Sequence, residues 1–303
     1  MGKEIIAEEE SDREGEKRMT RKKQNEKKPV FNGRRAYLPH SFFQNCIFAA
    51  TRAVNNATVD KKTGFVVVTR ANRAGDVVEI KSPTLLQARP DMGVFLAAIA
   101  LFQKYVLRFE EENIPPGALC EYGAKFPLRE LSELANISYK SGSGREVLED
   151  SLFRLGKTDI KVTFADPSKH FGSRVFEIHN LFNYIIERRV GPGQSVISIM
   201  PSFALAPQTQ YLYADAAIAN RLTSDTARAI FWILICRQHI MATPAQLLEL
   251  CGASGKRVDD WKRRRLIPAL EELREYEYTY VQNKDKTFTI RRPGAQKALV
   301  STN

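Results

Sequence analysis

Thr243-Pro-Ala-Gln-Leu-Leu-Glu-Leu-Cys-Gly252, followed by Ala253-Ser-Gly255 and then by Lys256-Arg-Val-Asp-Asp-Trp-Lys-Arg-Arg-Arg-Leu-Ile-Pro-Ala-Leu-Glu-Glu-Leu273, is the stretch that decides the architecture. Thr243 offers an N-cap hydroxyl, and Pro244 suits the first helical position, where its missing N–H has no intrahelical partner to lose. Leu247, Leu248 and Leu250 give that helix an apolar side, and Gly252 ends it. A small polar turn then leads into a longer helix. Tyr276 to Val281 and Phe288 to Arg291 follow as strands joined by the turn residues Asn283 to Lys286, a closing hairpin. Helix, turn, helix, hairpin is the order of a winged helix.

Upstream, Ser224 or Thr223 caps an apolar helix through Phe231, Trp232, Ile233 and Ile235. The same scheme is expected earlier in the chain. Gly64 to Thr69 and Val77 to Ile80 have β character around the turn-like Asn72 to Asp76. Asp91 then caps a strongly apolar helix, Val94 to about Phe109, which belongs at the centre of the first core. Leu131-Ser-Glu-Leu-Ala-Asn136 mirrors Leu247 to Gly252, and a second helix carries Leu148, Leu152 and Leu155 on one face. Asp159 to Phe164 and Arg174 to Ile178 are expected as the first wing. Gly191-Pro-Gly193 marks a turn before Val196 to Ile199, where the second half is taken to begin. The expected fold is therefore α+β and helix-rich, with two winged-helix domains in tandem, residues 31–190 and 191–303, after a charged tail of residues 1–30.

Composition sets the limits of function. The 303 residues are 43% hydrophobic, enough for one large core or two ordinary ones, with length slightly favouring two, and the formal charge is +11. Such an excess of lysine and arginine favours a polyanionic partner, because neutralised phosphates release counterions. Its distribution matters more than its sum. The tail is acidic from Glu8 to Glu16 and basic from Arg18 to Lys28, too polar to bury a core, and it reads either as a solubilising tail or as a DNA-contacting arm. No apolar signal segment opens the chain and no run of about twenty apolar residues occurs, so bacterial cytoplasm is the expected setting.

The second helix of the later module holds the densest positive cluster: Lys256, Arg257, Lys262, Arg263, Arg264 and Arg265. Helical spacing sets Leu266, Leu270 and Leu273 on one face and Arg257, Trp261 and Arg264 on the other. There an arginine can hold guanine bidentately in a major groove, while Lys262, Arg263 and Arg265 suit phosphates. Lys284 and Lys286 place further charge on the hairpin. Trp261 fits a core position as well as a groove, and Pro268 is expected to kink the helix or to mark its boundary. The first module's corresponding face, Ser143, Val147, Asp150 and Arg154, is less basic. With Lys140 and Arg145 at the helix start and Lys157, Lys161, Lys169 and Arg174 near the hairpin, it is expected to grip phosphates and read few bases.

Enzymatic patterns fail. Gly252-Ala-Ser-Gly-Lys256 resembles a phosphate-binding loop, but position 250 is leucine and Arg257 stands where the loop needs Ser or Thr. A nickase needs a metal-binding histidine pair, whereas His40, His170, His179 and His239 are scattered. Cys46, Cys120, Cys236 and Cys251 form no CxxC pair and read as reduced thiols. No enzyme, cofactor or metal is called for.

Leu222-Thr-Ser-Asp-Thr-Ala-Arg228, Leu247 to Gly252, Ala253-Ser-Gly255, the arginine-rich helix through Ala269-Leu-Glu-Glu-Leu273, and Thr289-Ile-Arg-Arg-Pro293 together resemble the C-terminal half of the replication protein C family, the iteron-binding initiators of IncQ-type plasmids. The likeness is clearest over residues 191–295. It implies a pair of winged-helix domains that bind direct repeats of double-stranded DNA at a plasmid origin, promote opening of adjacent DNA, and help to recruit a replicative helicase and other replication proteins. A monomer or dimer without membrane attachment is implied. A transcriptional regulator bound to a promoter operator, and a protein-interaction scaffold, are the competing readings.

Overall fold

Three of the first four strands are rich in the β-branched residues valine, isoleucine and threonine. The computed structural model describes residues 35–39, 47–50, 57–71, 75–110, 123–166, 174–188, 195–202, 211–253 and 257–293, so the charged tail lies outside the described residues. β1 (Arg35–Pro39), β2 (Ala57–Val59), β3 (Val66–Ala71) and β4 (Val77–Ser82) precede the longest helix, α1 (Asp91–Glu110). Next come β5 (Ala124–Pro127), α2 (Leu128–Leu134), α3 (Gly142–Gly156), β6 (Asp159–Thr163), β7 (Val175–Ile178), β8 (Phe182–Glu187) and β9 (Val196–Pro201). The later part runs β10 (Tyr211–Asp215), α4 (Ala216–Arg221), α5 (Asp225–Ile235), β11 (His239–Ala242), α6 (Pro244–Leu250), α7 (Val258–Trp261), a π turn (Lys262–Leu266), α8 (Ile267–Arg274), β12 (Thr279–Gln282) and β13 (Phe288–Arg291). The class is mixed α+β.

Two three-stranded sheets repeat one plan. β11 pairs with β13, which pairs with β12, and in the same way β5 pairs with β9, which pairs with β8. In each case an apolar helix precedes the first strand (α1 or α5), two helices separated by a turn follow it, and a hairpin closes the set. Even the turns match. Asn136, at φ 54°, and Gly252, at φ 62°, are the left-handed residues that end α2 and α6. Around them Ile137 N–H bonds Ser132 O and Asn136 N–H bonds Glu133 O, just as Ala253 N–H bonds Leu248 O and Gly252 N–H bonds Glu249 O, a Schellman motif both times.

This pairing reassigns the first hairpin. β6 and β7 were expected to be its strands, but β6 pairs with β4 and joins a five-stranded sheet in the order β2-β3-β4-β6-β7. The hairpin that occupies the wing's place is β8–β9. Val196 to Ile199, expected to open the second half, lies in β9 and pairs with Phe126 and its neighbours just before α2. Each isolated run has the alternation of a strand, and alternation does not say which neighbour supplies the hydrogen bonds.

One continuous core joins both halves. α1 is buried all round from Asp91 to Gln103, as expected of a helix that is apolar on every side. Trp232 on α5 is 0% exposed and packs edge-on against Phe48 at 5.2 Å and tilted against Phe95 of α1 at 6.3 Å. Ser224, one of the two expected caps, caps α5 by accepting from Ala227 N–H, and Thr243, the expected N-cap of α6, completes a capping box with Gln246. Asp91 was expected to cap α1; it is instead the first helical residue. Burial also holds Cys251 and, in part, Cys236, whose thiol it pushes up from the ordinary value.

Gly252 is favoured by its left-handed backbone, and its bare Cα leaves room for Arg70. A Cβ there would be left-handed and would stand 2.3 Å from Nη2 of Arg70, which reaches the turn from β3. Gly252→Ala is therefore expected to destabilise the protein by roughly 1–2 kcal/mol or more, from the left-handed penalty alone. A chemical-denaturation midpoint equal to that of wild type would contradict this.

Candidate nucleic-acid interface

Pro268 shapes the basic helix. It lacks an N–H and its ring collides with the carbonyl four residues back, so an unbroken α-helix through this point is costly. The chain answers by widening: Ile267 N–H bonds Lys262 O, a spacing of five residues, and the helix passes from α7 through the π turn into α8 without stopping. Leu266, Ala269, Leu270 and Leu273 are buried beneath it. The boundary or kink expected at Pro268 is thus a π turn, and it puts Arg263, Arg264 and Arg265 into one wide, exposed turn.

Their neighbours leave that charge available. Arg264 Nε lies 2.9 Å and Arg263 Nη2 3.5 Å from Oδ1 of Asp260, with side chains 69% and 76% exposed, so these are weak surface pairs that a phosphate can replace. Arg265 is exposed and acts electrostatically on Asp225 at the start of α5, whose carboxyl burial pushes up while Arg228, Arg89 and Arg265 pull it down. Arg257 is exposed at the start of α7 and makes no capping bond. Lys284 and Lys286 are exposed at the tip of the β12–β13 hairpin. Between them Asp285 accepts from the Thr287 hydroxyl and backbone N–H, which holds its carboxyl below the usual range and makes the tip a built turn.

Two members of the expected set turn inward. Trp261 is half-buried and packs on the core, with its indole nitrogen buried, so the core alternative is the one realised. Lys262 sits with Nζ 5.4 Å from the ring centre of Phe288 on β13, fastening the basic helix to the hairpin and not extending to solvent alone. Lys256 lies outside the described residues.

In the first half the helix start keeps Lys140, Ser143 and Arg145 exposed, Arg145 stacking over Tyr139 at 5.1 Å. Glu146 and Asp150 are exposed on the same helix, so the face is mixed in charge. Arg154 departs from expectation. It was read as outward-facing, but Nη2 bonds Oδ1 of the fully buried Asp91 at 2.7 Å and Nε bonds both carboxylate oxygens, so it holds α3 to α1. Periodicity placed it opposite the leucines; it cannot show that a long side chain folds back to a buried carboxylate. Lys161 and Arg174 belong to the β6–β7 hairpin of the larger sheet, where Lys161 pairs with Glu177 at 3.0 Å, and Lys169 lies outside the described residues. The β8–β9 hairpin brings up a residue that the sequence reading passed over, Arg188, which is 63% exposed and bonds Glu149 of α3 at 2.8 Å. Its signal was present: two alternating runs around Gly191-Pro-Gly193.

Among the described residues no cluster of His, Cys, Asp and Glu could hold a metal, and no helix is long and apolar enough to cross a membrane.

Three solved structures align with the chain. Domains 2 and 3 of RctB align over 86% of this chain and 99% of theirs, with 14% identity and a TM-score of 0.48. A selenomethionine form of the same two domains gives 14% identity, 84% and 97% coverage, and a TM-score of 0.46. The Pi initiator protein in complex with iteron DNA aligns over 74% of this chain and all of its own, with 13% identity and a TM-score of 0.40. No protein-family model and no curated protein matches.

Proposed function

We propose that this chain is a plasmid replication initiator that binds direct repeats of double-stranded DNA at an origin through two winged helices. The observation that carries this reading is the exposed turn Arg263-Arg-Arg265 on the second of two consecutive helices, followed by a hairpin whose tip exposes Lys284 and Lys286. A recognition helix presents its outward face to the major groove while a wing grips the flanking backbone. On this reading Arg264 is the base reader, and Arg257, Arg263, Arg265, Lys284 and Lys286 hold phosphates. Lys140, Ser143, Arg145 and Arg188 form the weaker contact of the first module.

Two unlike reading elements in one chain suit a non-palindromic direct repeat, because each copy brings both halves of the contact in a fixed order. A regulator built as a symmetric dimer would instead protect a palindrome. Opening of adjacent DNA and recruitment of a helicase, in a bacterial cytoplasm, complete the proposed role.

Footprinting on the DNA flanking the gene tests it. Protected direct repeats of about two helical turns each are expected. Affinity should fall by a factor of about 10³–10⁵ between 50 and 200 mM salt if six or more phosphates are neutralised. A single protected palindrome would overturn initiation, and binding indifferent to salt would overturn the DNA reading.

A further inference from the structure

Three buried polar contacts converge on the N-terminal end of α1, and they come from both halves of the chain. Arg154, from α3, is bound bidentately to Asp91. Arg228, from α5 and only 3% exposed, donates to Ala88 O at 3.2 Å, to Leu222 O at 2.8 Å and to Asn220 O at 3.3 Å. Asn220, at the end of α4 and 2% exposed, donates to Gly93 O at 3.3 Å and to Leu134 O of α2 at 2.8 Å. Gly93 is what lets Asn220 in, since a Cβ there would stand 2.1 Å from its side-chain oxygen.

The chain of contacts continues outward to the basic helix. Glu272 on α8 accepts from Thr223 Oγ1 at 2.8 Å and from Ser224 N–H at 3.0 Å, at the start of α5. Arg154 thus ties α3 to Asp91, Arg228 ties α5 to Ala88 three residues before Asp91, and Glu272 ties the start of α5 to α8, which is continuous with the arginine-bearing helix through the π turn. Buried donors held by carbonyls favour one geometry, because a shift that breaks such a bond leaves a donor or carbonyl unpaired away from water. An apolar contact would tolerate sliding; a guanidinium committed to three carbonyls from two segments does not.

We propose that Arg228, seated on the end of α1 with Asn220, is a positioning residue that fixes the separation of the two reading helices, so that the chain selects the spacing between its two contact tracts on DNA. This rests on the two-module DNA reading above. Arg228 touches no DNA; it acts through the helices it holds.

The test uses the full chain and the footprinted repeat as a duplex, with 1, 2 or 5 base pairs inserted between the two protected tracts, read by competition gel shift at one salt concentration. A 5-base-pair insertion turns the second tract by about half a helical turn. Wild type is expected to lose at least tenfold in affinity on it, whereas Arg228→Met should bind all insertions within about threefold of one another and bind a duplex carrying only the second tract as well as wild type does. Gly93→Ala, which displaces Asn220, is the second variant and decides the matter should Arg228→Met fail to fold. Wild-type affinity insensitive to the insertions overturns the proposal. So does a folded variant whose spacing profile equals that of wild type, which would make Arg228 structural only. Absence of any salt-sensitive duplex binding by wild type overturns the DNA reading and this proposal with it, and is distinguishable because no spacing profile then exists.

Discussion

Arg263→Ala, Arg264→Ala and Arg265→Ala combined in one protein are expected to lower affinity for the repeat by about 100-fold or more and to flatten its salt dependence. A lost bidentate base contact costs about 1–3 kcal/mol, and each lost phosphate contact reduces the slope of log K against log salt by about 0.9. Stability should hardly move. The arginines are exposed, and their pairs with Asp260 are surface ion pairs worth about 0–1 kcal/mol. Melting temperature within a few degrees of wild type, together with collapsed binding measured by gel shift across a salt series, is the expected result. Unchanged affinity and slope would remove the basic turn from the interface.

Trp232→Ala has the largest expected effect on the fold. The indole is 0% exposed and forms a three-ring cluster with Phe48 and Phe95, so truncation removes its transfer free energy and leaves a cavity that rings from separate segments cannot readily fill. Loss of a buried Trp costs about 3–5 kcal/mol, which for a chain of this size corresponds to a fall in Tm of roughly 10 °C. Because α1 and α5 share the core that this side chain fills, both halves should unfold in one shifted transition. Calorimetry that showed two transitions, with only the later half's displaced, would contradict a shared core.

Local chemistry made much of this legible in advance. A hydroxyl three residues before a free N–H, a proline at the first helical position, a left-handed residue at the end of a leucine-bearing turn and a polar turn between alternating runs act over a few residues, and they placed α5, α6 and the β12–β13 hairpin close to where they lie. The charge cluster was equally direct, because a run of arginine can only be solvated or partnered. Sequence by itself therefore determined the helices of the later half, the hairpin after them and the position of the exposed arginine cluster.

Tertiary structure decided what depends on distant partners. β8–β9 and not β6–β7 pairs with β5, because strand alternation is satisfied by either sheet and the choice lies in hydrogen bonds made across many residues. Arg154 left the surface because a buried Asp91 sixty-three residues away awaited a cation, Trp261 turned to the core, and Pro268 opened a π turn in place of a break. The meeting of Arg228, Asn220 and Gly93 was beyond local reasoning for the same cause: a buried polar group is placed by the groups that desolvate and satisfy it, and these come together only when the chain has folded.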